Sequence, residues 1–170
     1  MRLSDIITEM VVFHGSDSDI DEFDPESIGS SSGSDKGGWG FYFTDDESVA
    51  SQYISGKGSV EPYQIPNGPY LSLNDGVDED FLHTIYNELE DRNVKESDLE
   101  EFKTDFMDES YMHGTTIEHV YNWLGYVLGS RKNTSKMFSE LGYVGTKFPD
   151  KTNPDVTNYV VFNPSDIRRK

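Results

Sequence analysis

The chain has no cysteine among its 170 residues. That excludes a disulfide framework, a thiolate zinc site and a cysteine nucleophile together, and it fits a reducing compartment. No apolar run approaches the roughly 20 residues of a membrane-spanning helix, and no secretion signal is visible, so no membrane association is expected. Phosphate-binding signatures are missing as well. There is no GxxxxGK[ST], and the glycines near position 38 do not spell GxGxxG, which leaves a P-loop or a Rossmann turn unsupported. Without a Ser-centred elbow, hydrolase triads have no support either. Basic charge is scarce: 14 Lys and Arg stand against 32 Asp and Glu, a net charge of −18. Nucleic-acid backbone should repel such a chain, so direct nucleic-acid binding is not expected unless an acidic lobe imitates DNA. His113 and His119, six residues apart, fall on different faces of any helix. With His83 they read as ordinary polar residues, and no metal is expected.

What is present suggests one domain with a real core, expected to be monomeric. Hydrophobic content is 34% and aromatic content 13%, so the core should rest on Tyr and Phe more than on Leu. Charge is uneven. Residues 76–110 carry thirteen acidic and three basic side chains, whereas residues 131–170 carry eight basic and four acidic. The acidic run reads either as a solvated face or as a docking surface for a partner.

The stretch around which the chain is organised is Gly37-Gly38-Trp39-Gly40-Phe41-Tyr42-Phe43-Thr44-Asp45-Asp46 and the residues up to Tyr53. Trp39–Thr44 reads as an aromatic strand, and Gly40 marks a bulge or the close approach of a ligand or another backbone. Asp45 and Asp46 stop it and cap a short helix, Glu47–Tyr53. Tyr42 and Tyr53, at opposite ends, would close on one flat ligand; otherwise the unit is a buried strand and an amphipathic helix.

Before it, residues 1–9 read as a short amphipathic helix. Met10–His14 reads as a buried strand ending at His14-Gly15-Ser16. An acidic, Ser/Gly-rich loop follows to Lys36, with Phe23 as its anchor and a mobile run at 29–34. After the central motif, Val60–Ile65 and Tyr70–Leu73 read as strands around a Pro/Gly turn. The period then changes. Phe81, Ile85 and Leu89 share a helical face, and Ser97-Asp98-Leu99-Glu100 spells a capping box for a helix to about Ser110. Further helices are expected at Thr116–Leu128 and Asn133–Leu141, then strands at Tyr143–Phe148 and Tyr159–Phe162. Strands, a helical block and strands again make an α+β fold: a sheet core at 10–75 and 141–170, with a helical insertion at 76–140.

Three separated pieces carry more specific chemistry: Phe13-His14-Gly15-Ser16; Gly40-Phe41-Tyr42-Phe43-Thr44 with Tyr53 following; and Leu141-Gly142-Tyr143-Val144-Gly145 with Asn158-Tyr159-Val160-Val161-Phe162. In this order they resemble the ADP-ribosyltransferase superfamily, in its histidine–tyrosine branch of diphtheria-toxin-like and poly(ADP-ribose)-polymerase-like enzymes. They are most similar to the small transferase domains of phage polyvalent proteins, some of which inhibit bacterial immunity. The resemblance covers about residues 11–73 and 136–167 and implies a split β-sheet core.

It also implies that NAD is a substrate and that no metal is needed. By position, the backbone of Gly15 would hold the nicotinamide carboxamide, with Ser16 and Phe41 beside it. His14 would bond the adenosine ribose, Tyr42 would line the pocket and Tyr53 would stack on the nicotinamide. The chain departs from the pattern at two positions. Asn158 stands where the family has its glutamate, and Ala50 where many relatives have a small hydroxyl residue. A carboxylate just upstream, Asp150 or else Asp155, would then supply the catalytic charge beside Asn158.

The resemblance implies mono-ADP-ribosylation of a host protein, in the host cytoplasm, by a phage effector. NAD hydrolysis, or a silent acidic interaction module, is the alternative. Met1–Glu9 also resembles the leaders of proteins packaged in phage heads, with Ile7-Thr8-Glu9 similar to a maturation cleavage site. Packaging in the virion would follow.

Overall fold

The computed structural model describes residues 8–28, 37–108 and 114–170. Seven strands form one sheet: β1 (Glu9–Ser16), β2 (Phe41–Thr44), β3 (Ser59–Pro66), β4 (Tyr70–Ser72), β5 (Gly145–Pro149), β6 (Thr157–Val161) and β7 (Arg168–Arg169), in the order β4-β5-β6-β2-β1-β3-β7. Among the described residues five α-helices accompany them: α1 (Glu47–Ser51), α2 (Glu79–Asp91), α3 (Glu96–Phe102), α4 (Ile117–Val127) and α5 (Arg131–Glu140). The α+β class expected from strands, a helical block and strands again is therefore observed. The chain divides into two compact units, one reaching to Leu71 and resuming at Ser135–Lys170, the other Ser72–Thr134.

The first unit is built on the sheet. Alternation along the strands puts Val12, Phe41, Phe43, Tyr63, Ile65 and Val161 on one face, where they form a buried cluster. Phe23, from the acidic loop, packs edge-on against Phe41 at 5.0 Å and Tyr63 at 5.1 Å, so it is the anchor expected of it. Aromatic rings meeting edge to face share this core with the branched aliphatics Val12, Ile65 and Val161. Gly40 lies where another backbone passes: a Cβ there would stand 2.5 Å from the Val161 carbonyl oxygen. From α5, Met137 and Phe138 are fully buried, and Ser135 donates its hydroxyl to the Trp39 carbonyl at 2.8 Å.

The second unit is helical. Asp78 caps α2 by accepting the Phe81 N–H at 2.8 Å, with Glu79 and Asp80 in the first turn where the helix dipole favours acids. Its buried face is Leu82, Ile85 and Leu89. Phe81, expected there, is only half-buried. The Ser97 capping box is not formed. Helix α3 starts earlier, after Lys95, without a side-chain cap, and passes into a π-helical turn over Lys103–Met107. That turn sets Phe102 and Phe106 against Trp123 of α4 at 5.3 and 5.6 Å. At the start of α4, the Thr116 N–H donates to His119 Nδ1 at 3.2 Å, so His119 has a capping role.

Several boundaries move. β1 continues to Ser16 because its pairing with β3 does, α1 stops at Ser51 and not at Tyr53, and β7 was not foreseen. Glu9 belongs to β1, while the rest of the expected leader helix, except Thr8, and the 29–34 run lie outside the described residues. The helical face gives a direct check. Leu82→Ala should lower stability by about 2–5 kcal/mol, the cost of a cavity at a fully buried leucine, and Phe81→Ala by clearly less; denaturant unfolding measures both, and the reverse order would contradict the observed face.

Candidate active site

Strand β1 pairs with β3 at every position from Glu9 to Ser16 but with β2 only where Phe13 faces Thr44. Past that point β1 and β2 share no ladder. Pro62 sets the phase of what faces the opening. It has no N–H to donate, sits opposite Phe13, and gives its carbonyl to the Lys170 N–H at 3.3 Å on the far side of β3. Phe13 and Pro62 are thus a non-hydrogen-bonded pair, and the peptide groups of Phe13 turn toward β2. Gly15, two residues on, repeats that phase. Its N–H and C=O turn toward β2 where the ladder has ended, side by side as a donor and an acceptor.

Packing also requires glycine here. A Cβ on Gly15 would stand 2.1 Å from the Ala50 carbonyl oxygen, because α1 lies directly against β1 at this point. Ala50 itself is buried.

His14 spans the same gap. Its Nδ1 lies 2.7 Å from the Tyr42 carbonyl, and a carbonyl only accepts, so Nδ1 carries the proton. In the neutral ring Nε2 then keeps its lone pair. The ring packs between Phe23 at 5.7 Å and Phe43 at 5.6 Å, with Tyr63 at 6.4 Å. Burial lowers its pKa below the ordinary 6.5, against the raising effect of the Tyr42 bond. This side-chain bond replaces the missing ladder between the two strands.

The other residues singled out in the sequence are placed as follows. The Tyr42 hydroxyl donates to the Gly38 carbonyl at 2.9 Å and accepts the Gly37 N–H at 3.2 Å, pinning the glycine loop. Gly38 has φ of 116°, the left-handed region that side chains resist. Phe41 is core, packed on Phe23. Ser16 accepts the Ser18 N–H at 3.3 Å and closes the turn after β1. Tyr53, just beyond α1, is 61% exposed. Burial of part of its ring raises its pKa, and the nearby Asp150 carboxylate adds to the effect.

Asp150 and Asn158 come together. Asn158, opposite Thr44 in β6, donates its side-chain N–H to Asp150 Oδ2 at 3.2 Å. Asp150 Oδ1 accepts from the Thr152 hydroxyl at 2.7 Å, the Thr152 N–H at 2.9 Å and the Asn153 N–H at 3.1 Å. Both side chains are buried, at 9% and 6% exposure. The Thr152 hydroxyl does most to hold the Asp150 carboxyl down, at a pKa of about 2, with burial opposing it. Thr152 was not singled out in the sequence; its position two residues after an aspartate is the pattern of an Asx turn and was the available signal. Asp155 is exposed and takes no part in the cluster among the described residues. A separate cavity of about 420 Å³ is walled by Phe23, Tyr63, Asn163, Ile167 and Arg169 and includes neither Asp150 nor Tyr53.

A family model described as ADP-ribosyltransferase in polyvalent proteins matches residues 8–169, and the chain belongs to that family. The match takes in the helical unit that the sequence resemblance left unaccounted for. No curated protein and no solved structure matches.

Two groups make the fold acid-sensitive in the same direction. His14 is lowered from 6.5, so the unfolded chain takes a proton more readily and stability falls as pH drops below 6.5. Asp150 is lowered from 3.8 to about 2, so its contribution is complete above 3.8 and lost as pH falls through 2. The stability advantage of wild type over His14→Gln should therefore shrink below pH 6.5, read as thermal midpoints across pH. A constant difference would mean that His14 takes up protons equally in the folded and unfolded chain, so that its pKa is not lowered by folding.

Proposed function

We propose that the protein is a mono-ADP-ribosyltransferase that consumes NAD and modifies a host protein, acting as a phage effector in the host cytoplasm. The observation that carries this reading is the peptide group of Gly15, turned into the opening beyond the Phe13–Thr44 pair. One N–H and one C=O side by side complement a carboxamide, which offers both an acceptor and a donor. The exposed Tyr53 ring supplies a flat face for the nicotinamide, and His14 Nε2 an acceptor for a ribose hydroxyl. In the reaction the bond between the anomeric carbon and nicotinamide breaks, and nicotinamide leaves with the electron pair. An acceptor then bonds to that carbon and gives up its proton. The transition state carries positive charge on the ribose, and Asp150, ionised at neutral pH, is the carboxylate suited to oppose it.

The split-sheet arrangement and the histidine–tyrosine branch fit the same reading, supported by the short β1–β2 pairing and by the positions of His14, Tyr42 and Tyr53. Water as acceptor would make the enzyme an NAD glycohydrolase, with the same residues. Labelled NAD incubated with host lysate separates the outcomes. Labelled protein is expected; free ADP-ribose alone would mean hydrolysis, and neither would mean a silent module. Tyr53→Ala should weaken NAD binding by roughly 1–3 kcal/mol, the scale of losing one aromatic stacking partner, and His14→Ala should abolish transfer. Unchanged affinity in a folded Tyr53→Ala protein, by calorimetry, would remove the stacking role.

The target is proposed to dock on the acidic helical block, about residues 76–130, which would steer a basic surface toward it. Modification should then fall steeply as salt rises. Neutralising Glu100, Glu101, Asp105 and Asp108 should slow it at low salt, measured as the initial rate of protein labelling. An unchanged rate would make these carboxylates a solvated face only.

A further inference from the structure

We infer that Asp150 and Asn158 act as one acid–amide unit that holds a single charge and turns one oxygen acceptor toward solvent, so that the charge can be exchanged between the two positions. Its functional consequence rests on the proposed reaction; its geometry does not. An ionised carboxylate only accepts, so the 3.2 Å contact with Asp150 Oδ2 requires Asn158 Nδ2 and fixes which way the amide points. Asn158 Oδ1 is then the remaining acceptor. It has no donor among the described residues, and none of their buried side-chain polar atoms is left without a partner, so this oxygen meets solvent. Asp150 Oδ1 is already occupied by three donors from Thr152 and Asn153. The unit therefore presents a fixed acceptor backed by one negative charge.

Each single change breaks it in a definite way. In Asp150→Asn, the new amide must accept from Thr152 and Asn153 with its oxygen, so its NH2 faces the NH2 of Asn158. The clash is relieved only if the Asn158 amide turns over, which puts N–H groups where the acceptor stood. In Asn158→Asp, two carboxylates face each other with no donor between them, and one must take up a proton. Asn158→Glu has the same fault, so it should not restore the family arrangement while Asp150 is present. The double exchange, Asp150→Asn with Asn158→Asp, reverses the direction of the bond and keeps its shape. The amide at position 150 then donates to the carboxylate at position 158, and the outward oxygen stays an acceptor. Thr152 is a positioning residue for either version.

The experiment is a double-mutant cycle on the full chain with two readouts. Thermal stability, measured without NAD, reads the pairing alone. Both singles should be less stable than wild type, and the double exchange should recover most of the loss. Transfer from labelled NAD should fall about a hundred- to a thousandfold in each single, the scale of losing one charge-stabilising group, and recover to within about tenfold in the exchange. Additive stability losses would overturn the pairing. Recovered stability with transfer as low as in the singles would overturn the exchangeable charge. If wild type itself transfers nothing, the proposed reaction fails, and the stability cycle still decides whether the unit exists.

Discussion

The structure depends on where one hydrogen-bond ladder stops. β1 and β2 are neighbours at the centre of the sheet, yet their recorded register is the single pair Phe13–Thr44. Two central strands that part would expose backbone groups and open the core, a cost that folded chains avoid. Here the parting is held by the His14 imidazole on the Tyr42 carbonyl and by the rings of Phe23, Phe43 and Tyr63 around it. One face of the gap is therefore sealed with aromatic rings. The Gly15 peptide groups are turned into the gap by the phase that Pro62 sets. The same glycine lets α1 approach, which places Tyr53 near the opening.

This explains why the conspicuous residues do unequal work. Tyr42 and Phe41 are adjacent, and alternation sends them to opposite faces. Phe41 is consumed by the core, and the Tyr42 hydroxyl by the glycine loop that leads into its own strand. Tyr53 lies beyond the end of α1, outside any regular element, and keeps most of its ring in solvent. An aromatic at such a position adds less to the core than Phe41 does.

Much of the fold could be read from the sequence because β-branched and aromatic runs mark strands and a change to helical period marks the second unit. What could not be read has definite causes. Residues 81 and 82 both stand three or four positions before Ile85, so the period alone does not choose between Phe81 and Leu82; the cap at Asp78 fixes the rotation. The Ser97 motif was overridden because the preceding turn lets Lys95 start the helix. The resemblance names candidate site residues but not the bonds between them. That His14 bonds Tyr42, or that Asp150 bonds Asn158, depends on strand register across gaps of 28 and 8 residues. Pro62 is a partial signal: a proline inside a strand falls where its missing N–H is not needed, but only the register that sets it opposite Phe13 turns this into the orientation of the Gly15 peptide.

The asparagine at position 158 follows from the same logic of satisfied groups. A carboxylate at Asp150 is largely removed from water, and burial by itself would push it toward the neutral acid. It stays ionised because four donors converge on it, and one of them is the amide of Asn158. A glutamate at 158 could not give that bond and would add a second charge beside the first. The two positions are thus constrained together: once the charge sits on the β5–β6 connection, the strand position must be a donor toward it. An amide meets that need and still offers an oxygen on its other side. The amide at Asn158 and the carboxylate at Asp150 are therefore one feature of the fold, read at two places in the chain.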